Sequence, residues 1–193
     1  HYGMKIEDNI INEIFNDLIK QSNYFKRRRR IINFNKKNNH LKKGICITPV
    51  KFGISFTTTH LNQGGALVHV YTDGSVHLNH GGIEMGQGLM TKISQIASNE
   101  FGIPIKEIKI TSTDTEKVPN TSASAASATT DINGGAVIDA IKKIKNNLGK
   151  FINKEFNYKG KKIIYKNNKV YFGNKNIKFG ELISKAYLKR ISL

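Results

Sequence analysis

The stretch Val76-His77-Leu78-Asn79-His80-Gly81-Gly82-Ile83-Glu84-Met85-Gly86-Gln87-Gly88-Leu89 reads as a strand, a glycine-rich loop and the start of a helix. The rest of the fold is read outward from it. Upstream, Ala66 to Tyr71 is a second strand, joined to Val76–Leu78 at Thr72-Asp73-Gly74-Ser75. Asp-Gly supplies the positive φ angles that a tight hairpin needs. Downstream, Leu89, Ile93, Ile96, Ala97 and Phe101 fall on one face of a helix that Gly102 and Pro104 close. Ile105 to Thr111 then reads as a strand. Ser112 to Asp131 reads as a small-residue loop, and Val137, Ala140, Ile141, Ile144 and Leu148 as another helix.

The flanks carry weaker signals. Val50, Phe52, Ile54 and Phe56 alternate within Ile45–Thr57, which predicts a strand with Cys46 as a small buried side chain. Ile10, Ile11, Ile14, Phe15, Leu18 and Ile19 predict an N-terminal helix. Ser22 is placed to cap a second one that carries Tyr24, Phe25, Arg27–Arg30, Ile31 and Ile32. Ile163–Tyr165 and Val170–Phe172 form a lysine-rich hairpin, and Leu182, Ile183, Ala186 and Tyr187 a last short helix. Strands and helices alternate irregularly, so the class is α+β, with mixed sheets and packed helices. The expected organisation is a helical segment over 1–43, a core over 44–152, and a hairpin plus terminal helix over 153–193.

The chain has 193 residues, 38% hydrophobic and 23% charged, a globular composition. No run of about 18 uncharged apolar residues reads as a membrane-spanning helix. A single cysteine, Cys46, excludes an internal disulfide framework and fits a reducing cytoplasm. His1 to Glu7 does not read as a secretory signal. The first residue is His1, and Glu181–Leu193 still reads as structured, so a fragment of a longer polypeptide is expected. The net charge of +17 would attract phosphate backbones. Yet arginine occurs five times, four of them in Arg27–Arg30; the remaining basic residues are lysines mixed with asparagine and isoleucine. That mixture favours a solvated surface, and nucleic acid is not the expected partner. None of the six histidines has HExxH spacing; His69 and His77 alternate along strands and suit surface or packing roles.

Two segments are glycine- or hydroxyl-rich and poor in lysine. In Gly81–Gly88 the glycines admit close backbone approach, the following helix start offers N–H groups to an anion, and Gln87 adds a donor and an acceptor. The spacing is neither GxGxxG nor a Walker loop. The second segment, Asn120 to Asp131, offers hydroxyls and backbone amides with little bulk just before a helix. Each pattern also suits a plain structural turn or a capped helix, and neither alone fixes a ligand.

Several longer motifs occur together in one order: Pro49–Thr57, Leu61–Leu67, Val70–Val76, Gly81–Leu89 and Val118–Ser122. On these the chain resembles the molybdopterin-binding subunit of the xanthine oxidase/aldehyde oxidase family. Thr59-His60-Leu61-Asn62 and Val76–Gly82 are similar to its bacterial separate-subunit form. The resemblance implies an oxidoreductase of purine catabolism that hydroxylates hypoxanthine or xanthine with oxygen from water. Its electrons would pass through 2Fe-2S clusters to FAD and NAD in a partner domain or subunit of a hetero-oligomer. Aldehydes or other heterocycles are the alternative substrates.

By the same resemblance, Met85, Gly86 and Gln87 contact the molybdenum–molybdopterin cofactor, with the Gln87 amide beside an oxygen ligand of the metal. Ala126, Ser127, Thr129 and Thr130 wrap the pterin and its phosphate, and Phe56 and Thr57 form the substrate wall. No residue here is implied to bind the metal directly. The family's catalytic glutamate lies in a Gly-Glu-Pro-Pro segment that these 193 residues do not contain, so no catalytic residue is assigned and the chain alone is expected to be inactive. Met90 and Ile83 stand where the family usually has histidine and often threonine.

Overall fold

A computed structural model describes residues 5–117 and 121–193; His1 and the Val118–Asn120 part of the Val118–Ser122 motif lie outside them. The chain divides into two compact units, His1–Phe52 and Gly53–Leu193.

In the first unit, α1 (Ile11–Gln21) and α2 (Tyr24–Lys37) form a helical pair. Asn23, in the left-handed region at φ 51°, holds the N-cap position of α2. Ser22 instead ends α1, where its hydroxyl lies 3.5 Å from the Ile19 carbonyl. Asparagine enters the left-handed region at lower cost than serine, and the two-residue link needs that angle. The polar connection folds back onto α2. The Asn35 amide donates to the Lys43 carbonyl (2.8 Å) and accepts from the Lys43 N–H (2.9 Å), and the Lys43 ammonium lies over the Phe34 ring.

The strand predicted over Ile45–Thr57 does not form. Val50, Phe52 and Ile54 are exposed, and Cys46 is exposed and free. Alternation marks a chain able to enter a sheet, but a strand needs a neighbour for its N–H and C=O groups, and no described segment supplies one.

The second unit carries both sheets. In the first, β1 (Ala66–Val70) pairs antiparallel with β2 (Val76–His80), and β2 pairs parallel with β3 (Ile108–Ile110). The hairpin turn forms as the sequence predicts. Asp73 accepts from both the N–H and the hydroxyl of Ser75, and these bonds, the hydroxyl's first, hold its carboxyl below the usual aspartate range. The route from β2 to β3 runs through α3 (Leu89–Phe101), the helical crossover that a parallel pair requires. Only Ile108–Ile110 of the expected Ile105–Thr111 strand pairs; Ile105–Glu107 is a 3-10 turn after Pro104.

The long helix α4 (Thr129–Glu155) begins eight residues before its first predicted apolar position, Val137. The reason is Asn133 and Gly134, which are buried although neither reads as hydrophobic. Leu89, Ile93, Ala97 and Phe101 of α3 meet Val137, Ile141, Leu148 and Ile152 of α4 in a continuous core with Val76 and Leu78 of β2. The second sheet, β4 (Ile163–Lys166), β5 (Lys169–Phe172) and β6 (Lys175–Lys178), is antiparallel and packs with α5 (Phe179–Leu188). Strand β6 has one buried residue in four, Ile177, so its sequence shows no apolar alternation. Gly102 ends α3 at φ +63°, and a Cβ there would overlap the backbone of Tyr165 and Lys166. Glycine thus seats the end of α3 directly on β4.

Candidate functional site

Strand β2 ends at His80, and the chain enters the glycine loop through a buried polar knot. The Gly81 N–H donates to the Asn133 side-chain oxygen (3.2 Å), while the Asn133 amide donates to the Thr129 carbonyl (3.0 Å). Asn133, 3% exposed, thus ties the loop to the start of α4. The Thr113 hydroxyl lies within bonding distance of the His80 and Gly82 carbonyls. The Gly82 N–H donates to Nδ1 of His80 (3.0 Å). This contact fixes the neutral tautomer with the proton on Nε2, an atom buried without a partner among the described residues.

Burial holds the His80 imidazole below its ordinary value of 6.5. Above pH 6.5 the ring is neutral in both the folded and the unfolded chain. As pH falls through that value the unfolded chain takes up the proton first, so stability should fall toward acid with a slope of at most about 1.4 kcal/mol per pH unit. His80→Gln should flatten this part of a melting-temperature profile; parallel profiles for the two proteins would refute the assignment.

Beyond Gly82, side chains rather than a backbone ladder shape the loop. The Ile83 N–H donates to the Ser124 hydroxyl (2.7 Å), which joins the two lysine-poor segments directly. The Gln87 carboxamide accepts from the Met85 N–H and donates to the Ile83 carbonyl (2.8 Å). Among the described residues, one N–H of Gln87 is left uncommitted. The Glu84 carboxylate accepts from the N–H groups of Gly86 (2.9 Å), Gly88 (3.0 Å) and Met90 (3.1 Å). These bonds, that from Met90 first, hold its carboxyl below the usual range. The start of α3, read from sequence as an anion seat, is therefore filled by the protein's own carboxylate.

The start of α4 is different. Among the described residues no side chain caps it at Ala128, and first-turn N–H groups lack the intrahelical partners that later residues have. Ala126 (φ 53°) and Ser127 (φ 52°) are left-handed and Ala128 right-handed, an arrangement that turns successive N–H groups toward one side.

Between the two loops lies a cavity of about 380 Å³. Met85 and Gln87 line it from one side and Ala126, Ser127, Thr129 and Thr130 from the other. Six of the seven cofactor positions expected from sequence therefore meet in one place, and Gly86 does not line it. Lys92, from the first turn of α3, is its one charged lining residue among those described. Lysine is too common in this chain for its sequence position to stand out. Phe56 and Thr57 are not among the lining residues, but the preceding Ser55 N–H donates to the Ala126 carbonyl (2.9 Å). Asn62 holds Phe56 by both backbone groups. Larger hollows beside Gly102 and Asn168, beside Lys150 and Lys161, and beside His77 and Lys109 touch neither loop. Among the described residues no group of three His, Cys, Asp or Glu could hold a metal ion, and no helix is long and apolar enough to cross a membrane.

The family profile described as "Molybdopterin cofactor-binding domain" matches residues 17–193. The chain belongs to that family. This molybdopterin cofactor-binding domain is 43% identical over 193 residues to xanthine dehydrogenase of Calliphora vicina, covering all of this chain and 13% of that one. It is 51% identical over 160 residues to xanthine dehydrogenase/oxidase of Gallus gallus, covering 83% of this chain and 12% of that one. The domain thus spans a small part of these relatives. Quinoline 2-oxidoreductase from Pseudomonas putida 86 superposes with a TM-score of 0.80 at 19% identity, over 97% of this chain and 25% of that one. Cu,Mo-CO dehydrogenase superposes with 0.59 at 24% identity, over 64% and 16% of the respective chains. These likenesses establish the α+β fold of the domain.

Proposed function

We propose that the cavity between Met85–Gln87 and Ala126–Thr130 holds the molybdopterin of a molybdenum cofactor. The domain would then be part of a xanthine dehydrogenase-type oxidoreductase that hydroxylates purines such as hypoxanthine and xanthine. The observation that carries the reading is the convergence of two loops, 37 residues apart in sequence between Gln87 and Ser124, on one cavity lined by hydroxyls, the Gln87 carboxamide and, among the described residues, a single cationic side chain. The donor set fits the group. A pterin edge needs donors and acceptors in one plane, and a phosphate needs N–H groups, hydroxyls and a cation; Gln87, Ser127, Thr129, Thr130, Lys92 and the start of α4 offer these. The volume lies within the range of about 300–1,000 Å³ usual for small-molecule sites.

Bound there, the cofactor supplies the redox chemistry at its metal, and the protein's share is to bind and orient. The free N–H of Gln87 would donate to the metal end, and the Ser127–Thr130 turn would take the anionic end. Phe56, fixed by Asn62, would lay an aromatic face against the substrate, and the exposed Thr57 hydroxyl would bond its edge. The catalytic base, the 2Fe-2S clusters and FAD belong to other parts of the complete protein or to its partner, in a cytoplasmic hetero-oligomer.

The test is made on the complete protein that contains this domain. Molybdenum and pterin should be present together, and xanthine should be turned over in preference to simple aldehydes. Ser127→Asp places a carboxylate at a helix start, where it favours the helix, but aims it at the anion seat. Melting should be unchanged while pterin content falls by about tenfold or more. A wild-type protein lacking molybdenum and pterin, or a Ser127→Asp variant that retains both in full, would refute the proposal.

A further inference from the structure

We propose that Glu84 is a positioning residue that holds the Met85–Gln87 loop in its ligand-ready shape before any ligand arrives; this rests on the reading of the cavity as the molybdopterin site. The Ser124 and Gln87 bonds fix Ile83 and Met85, but neither reaches the two glycines. Gly86 (φ +97°) and Gly88 (φ +74°) are left-handed, and nothing lies within 4 Å of either position where a side chain would begin. Glycines in open space leave a backbone free to adopt many shapes. Of the N–H groups from Ile83 to Met90, those of Gly86, Gly88 and Met90 all go to one carboxylate. Oε1 takes the first two and Oε2 the third.

Glu84 therefore spans the loop and the first turn of α3 in a single contact set. It neutralises the helix start with a charge the chain already owns. Two consequences bear on the cavity. Met85 and Gln87 flank Gly86 and lie within the spanned segment, so their side chains are aimed by a backbone that Glu84 fixes. The Glu84 charge also disfavours the anionic part of a ligand at the N–H groups of the α3 start and leaves it to the Ser127–Thr130 side of the cavity, which Lys92 also lines. Supporting groups of this kind, which orient the residues that touch a metal or its carrier, typically change affinity by about 10–100-fold when removed.

The experiment uses the complete protein with Glu84→Ala and Glu84→Gln. Hydrogen–deuterium exchange is measured on cofactor-free preparations, and pterin release on loaded ones. Glu84→Ala should accelerate exchange at Gly86, Gly88 and Met90, leave the amides of α4 and the second sheet unchanged, and speed pterin release by about tenfold or more. Glu84→Gln keeps one acceptor oxygen and should fall between wild type and Glu84→Ala in both readouts. This graded rescue would not arise if Glu84 served only the stability of α3. Wild-type exchange at the three amides overturns the proposal, as does faster exchange with unchanged pterin release. A wild-type protein with no pterin at all overturns the underlying reading of the cavity instead, and the positioning role with it.

Discussion

Phe101→Ala should destabilise the second unit by about 3–5 kcal/mol, the usual cost of truncating a buried phenylalanine. The ring is fully buried at the last position of α3. It meets the ring of Phe179, the first residue of α5, at 5.4 Å between centroids, and Phe179 in turn meets Tyr165 of β4 at 6.5 Å. One side chain thus joins the crossover helix to the second sheet and its helix. Gly102, directly after it, is pressed against the β4 backbone, so the cavity left by alanine cannot close by moving the end of α3 inward. Amide exchange in β4, β5 and α5 of the complete protein should accelerate by about a hundredfold or more, because these elements would open without global unfolding. Phe101→Leu, which keeps most of the volume, should show a much smaller change. Equal protection in Phe101→Ala and wild type would mean that the second sheet is held by contacts other than this cluster.

The contrast between what the sequence predicted and what the chain forms is itself physical. Helix α3 and the β1–β2 hairpin were legible because their signals are local: period 3.6 from Leu89 to Phe101, an Asp-Gly turn, and a Gly102 stop. The Ile45–Thr57 alternation forms no strand because pairing depends on a neighbour that periodicity cannot reveal. The first turn of α4, Thr129–Asp131, reads as loop, and apolar periodicity starts only at Val137 because the burial before it falls on Asn133 and Gly134. The site divides the same way. Glycine and hydroxyl content marked both loops, and the resemblance assigned positions within them. Glu84 lies in the loop five residues ahead of α3, outside the usual capping slot, and no motif gives it a role. His80 and Asn133 read as ordinary polar residues, yet both are buried at the neck of the loop. Such residues become visible only once the chain has folded around them.

Gly82→Ala should cost about 1–3 kcal/mol through overpacking and remove most bound pterin from the complete protein. Gly82 is buried where the starts of two helices converge. A Cβ there would lie 2.7 Å from Leu89 Cδ2 at the head of α3, 2.7 Å from Thr129 Cγ2 at the head of α4, and 3.2 Å from the Asn133 amide nitrogen. None of these neighbours yields easily. Leu89 is fully buried, and Asn133 is tied to both Gly81 and Thr129. The added methyl acts as a wedge, and what it separates are the two loops whose separation sets the width of the cavity. A misplacement of about 1 Å between groups that must grip one ligand is enough to lose most of its binding. The melting temperature should drop modestly, while pterin content falls by about tenfold or more. Gly135→Ala is the matched control. It lies within α4 with nothing inside 4 Å of the new methyl, so it should raise helix stability by about 0.5–1 kcal/mol and leave pterin content unchanged. Were Gly82→Ala to retain full pterin, the close approach of the two helix starts could not be what sets the cavity's width.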